Sequence, residues 1–167
     1  MRSIIISLFL AAFQIGSAMA ETSQIKAGTA FGNWVFQCSA VAQNATKCAL
    51  VQTIVAGADK HKIAQIQFVE PVEGSSPQMS LLLPLGLDLQ SPVTVQIDTA
   101  EPVALAPKTC IKSGCLFAVG VDATFAASLA AGTKLSVQFS LANGKKDIGF
   151  GGSLTGLTDA FAAVAWF

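Results

Sequence analysis

The stretch "LSVQFSL", Leu135 to Leu141, alternates without a break. Leu135, Val137, Phe139 and Leu141 are apolar, and Ser136, Gln138 and Ser140 are polar. An extended chain turns successive side chains to opposite faces, so this period of two reads as a strand with one face in a core. The same pattern recurs upstream. "IAQIQFV" (63–69) turns Ala64, Ile66 and Phe68 inward and Gln65 and Gln67 to water, and "VTVQID" (93–98) aligns Val93, Val95 and Ile97. "WVFQC" (34–38) puts Trp34, Phe36 and Cys38 on one side. "CALVQTIV" (48–55), "MSLLLPL" (79–85), "CLFAVGV" (115–121) and "IGFGG" (148–152) are further strand-sized apolar pieces. Gly, Pro, Asn and Asp separate them. Many short strands with turn residues between them predict an all-β fold, a single antiparallel β-sandwich for which a jelly-roll is one arrangement.

Two short helices interrupt the strands. Asp122 is placed to cap "ATFAASLAAG" (123–132), which Gly132 would end. In "SLTGLTDAFAAVAWF" (153–167), Leu154, Leu157, Phe161 and Val164 have helical spacing, with Ser153 as the expected cap. Counting back by twos from Phe167 gives Ala165, Ala163, Phe161 and Asp159, which is not the aromatic, lipid-facing row of an outer-membrane strand. Two Pro-containing stretches, 70–78 and 98–108, read as linkers and as candidate contact loops on a rigid sandwich.

The first twenty residues, "MRSIIISLFLAAFQIGSAMA", carry one early cation, an apolar run and the small-residue step Ala18-Met19-Ala20. That is the build of a cleaved secretory leader. The run is too short for a spanning helix, which needs about 20 apolar residues. Residues 1–20 are therefore expected to be removed, leaving one domain over 21–167 with no further membrane span, in the periplasm, the envelope or the medium. The chain carries ten Lys and Arg against ten Asp and Glu, and Arg2 is the only arginine. Lys60-His61-Lys62 and Lys145-Lys146 form the only small basic clusters. Without a basic stripe to displace counterions, nucleic-acid binding is set aside.

Four cysteines stand at Cys38, Cys48, Cys110 and Cys115. They allow three pairings, and an oxidising compartment favours disulfides between sequence neighbours, Cys38–Cys48 and Cys110–Cys115. A zinc site prefers closer Cys-x-x-Cys pairs, and a redox centre wants that motif at a helix start. Other chemistry is thin. His61 has Asp59 near it but no Gly-x-Ser-x-Gly elbow accompanies it. "GFGGSLTG" (149–156) lacks the Lys and the spacing of a phosphate loop. Asp88, Asp98 and Asp122 are the carboxylates that a hydrolase would have to bring into one cleft.

One ordered set of pieces runs along most of the chain: "FGNWVFQC" (31–38), "CALVQ" (48–52), "LPLGLDLQSPVTVQID" (83–98), "CIKSGCLF" (110–117), "LAAGTKLSVQF" (129–139) and "GSLTGLTDAF" (152–161). Together they resemble the invasion-associated locus B family of exported alphaproteobacterial proteins. The resemblance implies an exported, β-rich domain of the periplasm or envelope, linked in some pathogenic relatives to host-cell entry. It supplies no catalytic residues. The expectation is a non-enzymatic domain that binds a protein or envelope component, with no cofactor and no metal. The alternatives are an envelope hydrolase using Asp88, Asp98 and Asp122, and a redox- or metal-sensing protein using the cysteines.

Overall fold

The structure, a computed structural model, describes residues 25–42, 45–73, 75–143 and 147–166. The expected leader, Lys145-Lys146 and Phe167 lie outside the described residues. In chain order the strands are β1 (Ala30–Phe31), β2 (Trp34–Ala42), β3 (Ala45–Ala56), β4 (His61–Val69), β5 (Gln78–Leu83), β6 (Val93–Ile97), β7 (Val103–Ile111) and β8 (Gly114–Gly120). Helix α1 (Ala123–Ala131) follows, then β9 (Lys134–Ser140), β10 (Asp147–Ser153) and helix α2 (Leu157–Val164).

The alternation read from the sequence sets the faces. In β9, Leu135, Val137 and Phe139 are buried while Gln138 is exposed. In β4, Ala64, Ile66 and Phe68 are buried between half-buried glutamines, and β6 buries Val93, Val95 and Ile97. All pairings are antiparallel, and the strands run β1-β2-β3-β4-β5-β8-β7-β6-β9-β10 across one continuous sheet. The consecutive strands β6, β7 and β8 are flanked by β5 on one side and β9 on the other, which makes two overlapping Greek keys.

The sheet doubles over on itself at β7. Residues Val103–Leu105 pair with β6, whereas Ala106–Ile111 pair with β8, and the register shifts between Pro107 and Thr109. The two layers share one core, with Trp34, Leu50, Ile66, Phe68 and Leu81 from one side and Val93, Val95, Leu135 and Val137 from the other. Phe161 of α2 closes an aromatic stack: its ring meets Phe68 edge-on at 5.0 Å between centroids, and Phe68 lies 5.2 Å from Trp34. The helices also touch each other, with the Thr158 hydroxyl donating to the Ala130 carbonyl at 2.9 Å.

Three local readings need correction. Only residues 98–102 of the expected linker 98–108 are a turn, and Val103–Lys108 belong to β7. Only Leu105 of that strand is buried, so no alternation announces it, and Pro107 sits at the register shift, a place where a sheet tolerates proline. Helix α2 starts after Gly156, not after Ser153, which pairs with Lys134 inside β10. Gly156 has φ 85°, and a Cβ there would run into the Phe31 carbonyl, so the chain turns into the helix at the one residue that allows both. The two-residue strand β1 is an addition that its short sequence does not signal.

Candidate functional site

The four sulfurs form two cross-strand staples. Cys38 and Cys48 are directly opposed between β2 and β3, and Cys110 and Cys115 between β7 and β8, with Cα separations of 4.0 and 3.9 Å. Such opposed positions are where two strands bring their side chains closest. Among the described residues no group of three His, Cys, Asp or Glu side chains is arranged to hold a metal ion.

The three nominated aspartates go to three different places. Asp88 closes a turn, its oxygens accepting from the Gln90 N–H at 3.0 Å and the Ser91 hydroxyl at 2.8 Å. Asp98, in the left-handed region at φ 47°, joins the β6–β7 turn to the start of β9. Its carboxylate accepts from the Thr133 hydroxyl at 2.7 Å, the Thr133 N–H at 3.0 Å and the Lys134 N–H at 3.0 Å. These bonds favour the charged form and hold the Asp98 carboxyl below the usual aspartate range, the Thr133 hydroxyl first among the causes and slight desolvation opposing them. Asp122 caps α1, accepting from the Phe125 N–H at 2.7 Å. His61 lies 3.5 Å from Asp59, both largely exposed at the β3–β4 turn. Glu70, just after β4, accepts from the Cys48 N–H at 3.2 Å.

More than one concavity among the described residues reaches the size of a binding site, and one of them is walled in part by carboxylates. A groove of about 410 Å³ opens between the β6–β7 turn, the end of β8 and the first turns of α1. Small-molecule sites commonly have volumes of roughly 300–1,000 Å³. Its walls are Val95, Ile97, Val103, Val119 and Phe125, its charged members are Glu101 and Asp122, and no lysine among the described residues lines it. Asp88 and Asp98 do not line it. The groove thus takes one of the nominated acids and adds Glu101, which the sequence shows only as a turn residue 21 positions away.

A second convergence is internal. The Ser153 carbonyl accepts from the Gln52 amide at 2.7 Å and from the Trp34 indole N–H at 3.1 Å, and the Ser153 N–H donates to the Gln52 carbonyl oxygen at 2.9 Å. Gln52 is 4% exposed and Trp34 fully buried. The Gln52 side-chain amide therefore pairs with Ser153 much as a neighbouring strand would, and it fastens β10 to the opposite layer. Close by, the Asn33 N–H donates to the Thr155 carbonyl at 3.3 Å. Residues from "FGNW", "CALVQ" and "GSLTG" thus meet at one seam.

The family model described as "Invasion associated locus B (IalB) protein" matches residues 34–165. The chain belongs to this family. Two invasion protein B homologs of Brucella abortus, from strain 2308 and from biovar 1 strain 9-941, are each 27% identical over 126 residues, covering 75% of this chain and 72% of theirs. The crystal structure of invasion associated protein B from Bartonella henselae has the same fold, with a TM-score of 0.69 at 21% identity over 82% of this chain and 94% of that one. Of the stretches that carry the resemblance, three meet at the seam and others hold the staple cysteines, while 83–98 supplies Val95 and Ile97 to the groove wall. The groove carboxylates Glu101 and Asp122 fall between the six quoted stretches, though within the residues 34–165 that the family model matches. Sequence reading did not bring them together because each sits in a separate turn and only the folding of β7 across the layers makes them neighbours of one cavity.

Proposed function

We propose that this IalB protein is exported, is processed to a single domain over residues 21–167, and works in the periplasm or cell envelope by binding a protein or envelope component without catalysing a reaction. The observation that carries the reading is the use made of its reactive groups. All four cysteines are joined in staples, and the nominated aspartates hold a turn, a strand start and a helix cap. Cross-strand disulfides suit an oxidising compartment, in agreement with the leader-like residues 1–20. The names of the Brucella and Bartonella relatives attach invasion to those proteins; for this chain we infer only export and partner binding, on the grounds just given.

Fractionation with in-cell crosslinking tests this. The mature protein is expected to begin at Glu21, to leave the cell with the periplasmic fraction, and to form a discrete crosslinked adduct in intact cells. Retention of residues 1–20 in a cytoplasmic protein with free thiols would refute the export half. Absence of any adduct across several crosslinker lengths would refute partner binding.

A further inference from the structure

We propose that the groove between α1 and the β6–β7 turn docks a basic amphipathic peptide segment of the partner, receiving one Lys or Arg side chain. The proposal deepens the partner-binding reading and rests on it. The groove has an aliphatic floor and two carboxylates, and no cation among the described residues lines it. Among the described residues Glu101 makes no side-chain hydrogen bond or ion pair, and the cap on α1 engages only the Oδ1 oxygen of Asp122. A long basic side chain matches this pattern, because its methylene stem covers apolar surface while its charged head stays near water and acid. An acidic segment would face two like charges, and a purely apolar one would leave both carboxylates without a counter-charge.

The test is a titration of the oxidised full chain with three acetylated, amidated pentapeptides of sequence Ala-Ala-X-Ala-Ala. X is lysine, norleucine or glutamate, and binding is followed by methyl NMR of Val95, Ile97 and Val103. Lysine and norleucine share the stem and differ in the charge. At low salt the lysine peptide is expected to shift these methyl signals and to bind about threefold to tenfold more tightly than norleucine, the range expected for one or two exposed ion pairs. The glutamate peptide is expected to bind most weakly. The paired substitution Glu101→Gln and Asp122→Asn is expected to bring lysine down to the norleucine level. Asparagine caps a helix as well as aspartate does, so α1 and the unfolding midpoint stay in place. Equal binding of all three peptides would overturn the proposal, as would shifts outside the groove or a lysine preference that survives the double substitution. These outcomes concern the groove alone. Partner binding as such is read from the crosslinked adduct, so the two proposals fail separately.

Discussion

Replacing Gln52 with leucine removes the side-chain amide that stands in for a strand, and the structure says which backbone group suffers. The Ser153 carbonyl has a second donor, the Trp34 indole at 3.1 Å, so it keeps a partner. The Ser153 N–H has the Gln52 oxygen as its bond and nothing in reserve among the described residues. An unpaired, largely buried donor costs about 1–3 kcal/mol, and the lost second bond adds about 0.5–1.5 kcal/mol. Leucine has similar volume and recovers about 1 kcal/mol by burying apolar atoms in place of an amide. The net destabilisation is expected to be about 2 kcal/mol. Trp34→Phe is the complementary change. It leaves Ser153 fully bonded through Gln52, and is expected to cost about 1–2 kcal/mol, mostly from lost ring volume. In the double variant the carbonyl loses both donors, so the two effects should exceed their sum by about 1 kcal/mol or more. Urea unfolding with the disulfides intact measures all four members of the cycle, with an unchanged m-value as the check on two-state behaviour. Amide exchange at Ser153 reports the local bond. A Gln52→Leu midpoint equal to that of the parent, or a strictly additive cycle, would refute the idea that Gln52 and Trp34 act on one shared acceptor.

Further outcomes follow from single contacts. Gly114 has φ 141°, and a Cβ there would run into the Leu83 carbonyl on β5, so Gly114→Ala is expected to destabilise by more than the roughly 1–3 kcal/mol of backbone strain alone and to lower the yield of folded protein. Thermal melting of the soluble fraction checks it. Removing Cys38–Cys48 by paired serine substitution should cost about 3 kcal/mol, and removing Cys110–Cys115 about 2 kcal/mol, because the first closes the longer loop. Urea midpoints under non-reducing conditions give both values, and the reverse order would count against the chain-entropy account. The Asp98 carboxyl titrates below its unfolded value of about 3.9. Its contribution to stability is therefore full above that value and fades as the pH drops through the lower folded one. Asp98→Asn should flatten this acid limb in urea midpoints taken from pH 5 to pH 2.5, and an unchanged limb would contradict the assignment.

The alternating strands were legible because one face of each meets the shared core and the other meets water. β9, β4 and β6 all show this in their burial. The Asp122 cap was legible for a local reason as well, since a carboxylate three residues before an N–H is a property of adjacent sequence. What the sequence concealed was non-local. β7 has mostly exposed side chains and a proline at a register shift, so it resembles a linker until its partners on both sides are known. Ser153 does accept an N–H on its hydroxyl, as an N-cap would, but the donor is Thr155 two residues on. The helix start was set instead by the approach of Gly156 to Phe31, across a separation that no local pattern encodes. The groove was hidden for the same reason, because it draws on β6, the turn after it, β8 and α1 together.

Several of the stretches that carry the resemblance to the IalB family lock the two layers together. Trp34, Gln52 and Ser153 bond across the layers, Gly156 lets β1 and the start of α2 approach, and Gly114 lets β8 lie against β5. A seam of this kind tolerates little change, since each member supplies either a buried bond or the absence of a side chain. Glu101 and Asp122 are under no such constraint: among the described residues one makes no side-chain bond, and the other needs only an oxygen to cap a helix, which asparagine or serine would also provide. A protein built this way can keep its architecture while the charge on its groove is altered. Exchanging Glu101 for lysine should leave the unfolding midpoint within about 0.5 kcal/mol of the parent, as surface changes usually do. The same exchange should turn the peptide preference from lysine toward glutamate. A loss of folding instead would place Glu101 in the architecture and tie recognition to the seam itself.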